Sequence, residues 1–196
     1  EGQNVRYKVA LPGDGKSTPI LWRDLVILTA TLPAEKNLLE FVVLALSRAD
    51  GQVRWRRSVR VEHPHEGTHK DGSFAGGSAL TDGERIYAFF GSRGLYALDF
   101  EGRVLWEKDL GLMSTRNAFG EGASPAVAKG LLVVNWDHEG EDFIVALDAR
   151  TGRCGGADHD VRRDQRPETL TQPAAPLHHS PPRPGCDRRS IRGRSG

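Results

Sequence analysis

One phrase recurs along this chain and limits what the chain can become. Its clearest copy is Gly94-Leu-Tyr-Ala-Leu-Asp-Phe-Glu-Gly-Arg-Val-Leu-Trp106. A second full copy is Val42-Val-Leu-Ala-Leu-Ser-Arg-Ala-Asp-Gly-Gln-Val-Arg-Trp55. A third begins Phe143-Ile-Val-Ala-Leu-Asp-Ala-Arg-Thr-Gly152 and then loses the pattern. Each copy reads as an apolar run, a tight polar-Gly turn and a second short run. Apolar residues at both odd and even positions suit a strand buried on both faces. Asp50-Gly51, Glu101-Gly102 and Thr151-Gly152 sit where a hairpin needs a positive φ, which glycine supplies without steric cost. Trp55 and Trp106 follow in the returning strand. A Trp at a fixed place after the hairpin is a wedge able to fill the gap between neighbouring units.

A second echo lies upstream of each hairpin. It reads Gly15-Lys-Ser17, Gly77-Ser78 and Gly122-Ala-Ser124. Each is followed by a β-rich run: Leu25–Thr29, Ile86–Phe90, Leu131–Val134. One unit is therefore a short strand at the Ser, a long inner strand, a hairpin strand and a Trp strand. Four strands recurring about every 45 to 60 residues predict a β-propeller. Val5-Arg-Tyr-Lys-Val9 resembles Val53-Arg-Trp-Arg-Arg57, with Tyr7 in the Trp place, so the chain is expected to open on the last strand of a unit. The expected fold is all-β: a partial β-propeller of about three and a half four-stranded antiparallel blades over residues 1–154.

The net charge of +1 argues against a nucleic-acid binder. No apolar run is long enough to span a membrane. The two cysteines, Cys154 and Cys186, lie outside the repeats and do not decide a redox compartment. Residues 153–196 differ from the rest. They hold nine Lys/Arg against five Asp/Glu and six of the eleven prolines, and no aromatic follows Phe143. Such a segment buries too little apolar surface to offset its ordering entropy, so residues 155–196 are expected to be a disordered tail. The break falls inside a hairpin, with Gly155-Gly156 where two copies carry Trp, and points to a shifted reading frame or a truncated gene rather than an evolved tail.

The phrase Ala146-Leu-Asp-Ala-Arg-Thr-Gly-Arg153 and its relative Tyr96-Ala-Leu-Asp…Gly-Arg-Val-Leu-Trp106 resemble the repeat of PQQ-like (quinoprotein-like) β-propellers. The stretches Ser73–Asp99 and Phe119–Pro125 with Val133–Gly140 resemble bacterial PQQ-binding-like repeat proteins. The likeness covers about residues 1–153. It implies a protein that is periplasmic or secreted when intact, of which this chain is a fragment, since propellers of this family often have eight blades. The family includes quinoprotein dehydrogenases and an outer-membrane assembly scaffold. The dehydrogenases hold quinone and calcium with an adjacent Cys-Cys pair, a stacking Trp and acidic and Arg ligands. This chain has no Cys-Cys pair, so no cofactor is expected; PQQ and calcium belong only to an alternative reading.

Candidate sites fall in the connections. His63, His65 and His69 lie within seven residues, but no Cys or fixed carboxylate joins them, and we read them as an inter-blade loop. Asp137, His138, Glu139, Glu141 and Asp142 form an acidic turn without an EF-hand pattern, so we read a polar hairpin tip rather than a calcium site. Gly13-Asp-Gly-Lys-Ser17 resembles the end of a phosphate loop, but Ala10 stands where that motif needs its first Gly. Ser17, Ser78 and Ser124 recur in equivalent places, which marks structure rather than nucleophiles. The ligand-facing candidates are Arg116, Asn117, Asp137 and His138, on loops at the mouth of the propeller. The expected function is a non-catalytic scaffold that binds a protein partner or a small ligand. The alternative is a fragment of a PQQ-dependent oxidoreductase acting on an alcohol or sugar.

Overall fold

A computed structural model describes residues 3–154; the expected tail, 155–196, lies outside the described residues. All of them but Cys154 belong to one compact unit, Glu1–Arg153. That unit is built from eleven strands: β1 (Ile20–Trp22), β2 (Leu25–Pro33), β3 (Leu39–Ser47), β4 (Val53–Glu62), β5 (Leu80–Thr81), β6 (Ile86–Phe89), β7 (Leu95–Leu98), β8 (Val104–Lys108), β9 (Ala126–Ala128), β10 (Leu131–Trp136) and β11 (Phe143–Asp148). They pair as antiparallel sheets in chain order, β1-β2-β3-β4, β5-β6-β7-β8 and β9-β10-β11. This is an all-β, partial β-propeller. Helical structure among the described residues is confined to short 3-10 turns at Glu35–Asn37, Gly91–Arg93 and Arg116–Ala118.

Two local details differ from the sequence reading. The innermost strands start two or three residues after Ser17, Ser78 and Ser124, not at them. Ser78 and Ser124 instead link one unit to the next: the Thr18 N–H donates to Ser78 Oγ at 2.9 Å, and the Ser78 N–H to Ser124 Oγ at 3.0 Å, whereas Ser17 Oγ accepts the Thr29 N–H at 3.2 Å and donates to Thr29 O at 3.1 Å within its own unit. The segment Val5–Val9 has no strand assignment. It has no ladder partner among the described residues, although Tyr7 still reaches the first hairpin.

The sheets are apolar on both faces, as the strand pattern requires. One face of sheet 1 (Ile27, Phe41, Val43, Ala45) packs with Ile86, Ala88, Tyr96 and Leu98 of sheet 2 in a single buried cluster. The alternate residues of sheet 2, Tyr87, Phe89, Leu95 and Ala97, are also at most 1% exposed. They face sheet 3, where the Phe89 ring lies 6.2 Å from that of Trp136, and Tyr87 Oη donates to Ala149 O at 3.0 Å. Each such large side chain contributes about 1.5–3 kcal/mol by leaving water. Among the described residues no sheet covers the far face of sheet 3. Ile144 is 59% exposed, whereas its counterparts Val43 and Leu95 are fully buried.

The hairpins seat each sheet on the next. Gly102 has φ +80°, and a Cβ added there would lie 2.9 Å from Trp55 Cδ2. Gly152 meets Trp106 and Gly51 meets Tyr7 in the same way. Trp55 Nε1 donates to Phe100 O at 2.8 Å, and Trp106 Nε1 to Ala149 O at 3.2 Å. Aspartates shape the hairpins. Asp99 accepts from the Glu101 and Arg103 N–H groups and from Arg103 Nε. Asp148 accepts from the Thr151 N–H and hydroxyl, both at 2.7 Å, and Asp50 from the Gln52 N–H at 3.1 Å.

These bonds set the acid response of the fold. Bonds from Thr151 hold the Asp148 carboxyl below the ordinary value, and bonds involving Ser47 and then Gln52 do so for Asp50. At Asp99 burial opposes the charge, but the Arg103 bonds outweigh it and the carboxyl is again lowered. A depressed folded-state pKa stabilises the fold above the ordinary carboxylate value and ceases to do so as pH falls through the depressed one. The unfolding temperature followed by circular dichroism should therefore fall on acidification from about pH 4.5 to about pH 2. Asp99→Asn and Asp148→Asn should each flatten that slope; an unchanged slope in both variants would contradict the assignment.

Candidate functional site

Strand alternation places the β2–β3, β6–β7 and β10–β11 turns at one end of the sheets, together with the connections 63–79 and 109–125. The dominant feature of that end is Arg93, in the β6–β7 turn. Its side chain is 2% exposed. A buried guanidinium is costly unless paired, and Arg93 is paired from two directions. Nη1 donates to Glu121 Oε1 at 2.9 Å. Nε lies 3.3 Å from Glu62 Oε1, at the end of β4, as an ion-pair contact rather than an aligned hydrogen bond. The rings of Phe41 and Phe74 each lie 5.8 Å from the guanidinium carbon, within cation–π range.

Glu121 is the second centre of this cluster. Its carboxylate accepts from the Ser92 N–H at 2.5 Å and the Ser92 hydroxyl at 2.7 Å. Ser92 Oγ in turn accepts the Met113 N–H at 2.7 Å. Gly91 makes room for this: with φ +58°, any side chain there would collide with Glu121. The cluster joins sheet 1 through Glu62 and Phe41, sheet 2 through Ser92 and Arg93, and the connection into sheet 3 through Glu121. Beside it Arg93, Glu121, Glu66, Phe74 and Thr115 line a cavity of about 10 Å³, the volume of one water molecule. Arg93 Nη2 has no hydrogen-bond partner among the described residues.

The two connections are tied to each other next to this cluster. Glu66 accepts from the Thr115 N–H at 3.0 Å and hydroxyl at 3.1 Å. Burial works against its charge, yet the bonds from Thr115 and Ser114 and the neighbouring His65 hold its carboxyl below the ordinary value. His65 Nε2 lies 2.6 Å from Met113 O, and the His69 N–H donates to Ala118 O at 2.6 Å. His63 is exposed. Among the described residues no three His, Cys, Asp or Glu side chains converge on one point.

The sequence candidates lie on two neighbouring loops of this end. Arg116 is exposed and pairs with Glu139 at 3.0 Å. Asn117 is exposed in a left-handed conformation, φ 53°. Asp137 is exposed on the β10–β11 turn. His138 Nδ1 accepts the Ser114 N–H at 3.1 Å. The structure thus brings loop 110–122 against turn 137–142, and does not gather the four candidates around a common cavity. Arg93, Glu62, Glu66 and Glu121 were not singled out by the sequence reading. The available signal was a lone Arg in the turn Gly91-Ser-Arg-Gly94, between strands apolar on both sides; the identity of its acids was not local. Trp55 and Trp106 lie against the hairpin glycines, and Trp136 is fully buried between sheets.

Truncation of Arg93 should leave Glu62 and Glu121 without their cation. Arg93→Ala should destabilise the chain by about 3–5 kcal/mol. The triple variant Arg93→Met, Glu62→Gln, Glu121→Gln should recover at least half of that loss. Equal stability of Arg93→Ala and wild type in urea unfolding would refute the role of the cluster.

No curated protein matches the chain. Solved structures similar to it include quinohemoprotein alcohol dehydrogenase ADHIIG from Pseudomonas putida HK5, at 23% identity and a TM-score of 0.49, over 74% of this chain and 20% of that one. BamB from Moraxella catarrhalis is similar at 17% identity and a TM-score of 0.48, over 76% of this chain and 38% of that one. Quinohemoprotein alcohol dehydrogenase from Comamonas testosteroni matches at 18% identity and a TM-score of 0.49, over 74% of this chain and 21% of that one. The chain therefore spans well under half the length of each. The sequence model of the PQQ-like repeat family described as outer membrane protein assembly factor BamB matches residues 2–157, and the chain belongs to that family.

Proposed function

We propose that this chain is a non-catalytic β-propeller scaffold that binds a protein or ligand partner, and that its parent protein works in the periplasm or outside the cell. The observation that supports this reading is how the loop end uses its reactive groups. Arg93, Glu62, Glu66 and Glu121 are committed to holding sheets and connections together, and Arg116 is neutralised by Glu139. What this end offers is a rigidly mounted set of exposed loops, the usual place for recognition. Membership of a family described by an assembly factor fits that role. Among the described residues no helix is long and apolar enough to cross a membrane.

The dehydrogenase alternative requires a stacking aromatic and a set of charged ligands for quinone and calcium. Among the described residues no tryptophan is free to stack on such a group. Trp22 stacks with Phe100, Trp55 and Trp106 lie on hairpin glycines, and Trp136 stacks with Phe143, so every tryptophan is engaged in packing. Titration calorimetry of the intact, folded parent protein with PQQ and calcium should give no saturable heat. Photo-crosslinkers at Asn117 and Asp137, introduced in the parent cells, should capture a protein more strongly than one placed at Val53 on the outer strand. Stoichiometric PQQ binding would overturn the scaffold reading.

Trp55 and Trp106 act in this reading as docking wedges that fix the angle between successive sheets. Trp106→Ala should cost about 3–5 kcal/mol. A change within experimental error in denaturant unfolding would remove the docking role.

A further inference from the structure

The imidazole of His138 joins two loops through one nitrogen. Nδ1 accepts the Ser114 N–H at 3.1 Å, across 24 residues, and the Gly140 N–H at 3.2 Å within its own turn. The ring stands edge-on to Trp136, with centroids 6.1 Å apart. Both partners are backbone amides and can only donate. Nδ1 must therefore present its lone pair, and the proton of the neutral ring sits on Nε2. Nε2 is buried and has no hydrogen-bond partner among the described residues. Alongside, the Glu139 N–H donates to Ser114 O at 2.9 Å, and Arg116 pairs with Glu139.

We propose that His138 is a proton-operated clasp: its neutral ring fastens loop 110–122, which carries Arg116 and Asn117, to the β10–β11 turn, and protonation of Nδ1 releases that loop. A second ring proton can sit only on Nδ1, where it points at two N–H groups. Both accepted bonds are lost and donor meets donor. The buried Nε2–H offers the resulting cation no compensating acceptor, so the charged ring is driven out toward solvent. The surrounding charges reinforce this outcome. Asp142 Oδ1 is occupied by the His138 backbone N–H at 2.9 Å. Asp137, Glu139, Glu141 and Asp142 make the turn acidic. From loop 110–122 the nearby charge is Arg116, held by Glu139; from connection 63–79, Glu66 is held by Thr115, and His65 lies on Met113 O. The clasp is read from the fold and goes beyond the scaffold reading, because it acts whether or not a partner binds this end.

The test is nuclear magnetic resonance on the labelled full chain from about pH 8 to about pH 5, the interval in which imidazoles exchange their proton. At the upper end the His138 ring nitrogens should report the Nε2–H tautomer. As the ring charges, the Ser114 and Gly140 amides should lose hydrogen-exchange protection about tenfold, after correction for intrinsic rates. In His138→Asn the side-chain oxygen accepts at every pH, so protection should persist and its pH dependence disappear. An Nδ1–H tautomer, or unchanged Ser114 protection through the ring's titration, would overturn the proposal. So would a His138→Asn chain that keeps the wild-type pH dependence.

Discussion

A sheet that is apolar on both faces cannot stand alone in water, and the rest of this structure follows from that constraint. Sheet 2 is the clearest case: Ile86, Ala88, Tyr96 and Leu98 face one way, Tyr87, Phe89, Leu95 and Ala97 the other, and all are at most 2% exposed. Its stability lies in its two neighbours rather than in its own ladder. The same logic explains the contrast at Ile144, which repeats the position of Val43 and Leu95 but has no sheet over it among the described residues.

Apolar packing is not directional, so something else must set how one sheet meets the next. Two directional contacts lie at opposite ends of the strands. At the hairpin end a flat aromatic rests on a glycine in a left-handed turn, where no other residue leaves room. At the loop end the buried Arg93 demands carboxylates, and draws Glu62 and Glu121 to it from separate elements. Buried ion pairs add little net stability against a well-packed apolar core, but leaving one partner unmatched is costly. Arg93 therefore penalises any arrangement in which the sheets slide relative to one another. The loops that meet solvent are mounted on this cluster, which couples packing to the surface.

The repeat was legible because its signals are local. Alternation, turn glycines and returning strands are all set within about fifteen residues of one another, so sheet composition and order could be read directly. The serines at 17, 78 and 124 recurred visibly, yet Ser78 and Ser124 bond across to a neighbouring unit whereas Ser17 bonds to Thr29 of its own. The candidate loops could likewise be placed at one end by strand alternation. Their side-chain partners could not be read. Glu62, Arg93 and Glu121 are separated by about thirty residues each, and nothing in the turn Gly91-Ser-Arg-Gly94 specifies which acid answers the arginine.

By itself the sequence determined the kind of unit: an antiparallel sheet apolar on both faces, closed by a polar-glycine hairpin. Hairpin geometry and strand burial depend on neighbouring residues and their period. The tertiary structure alone decided which charges are buried together, and that His138 meets Ser114 across two loops. Those pairings arise only once the sheets have stacked, because the cost of a buried charge or an unshared lone pair is set by what the folded chain places beside it.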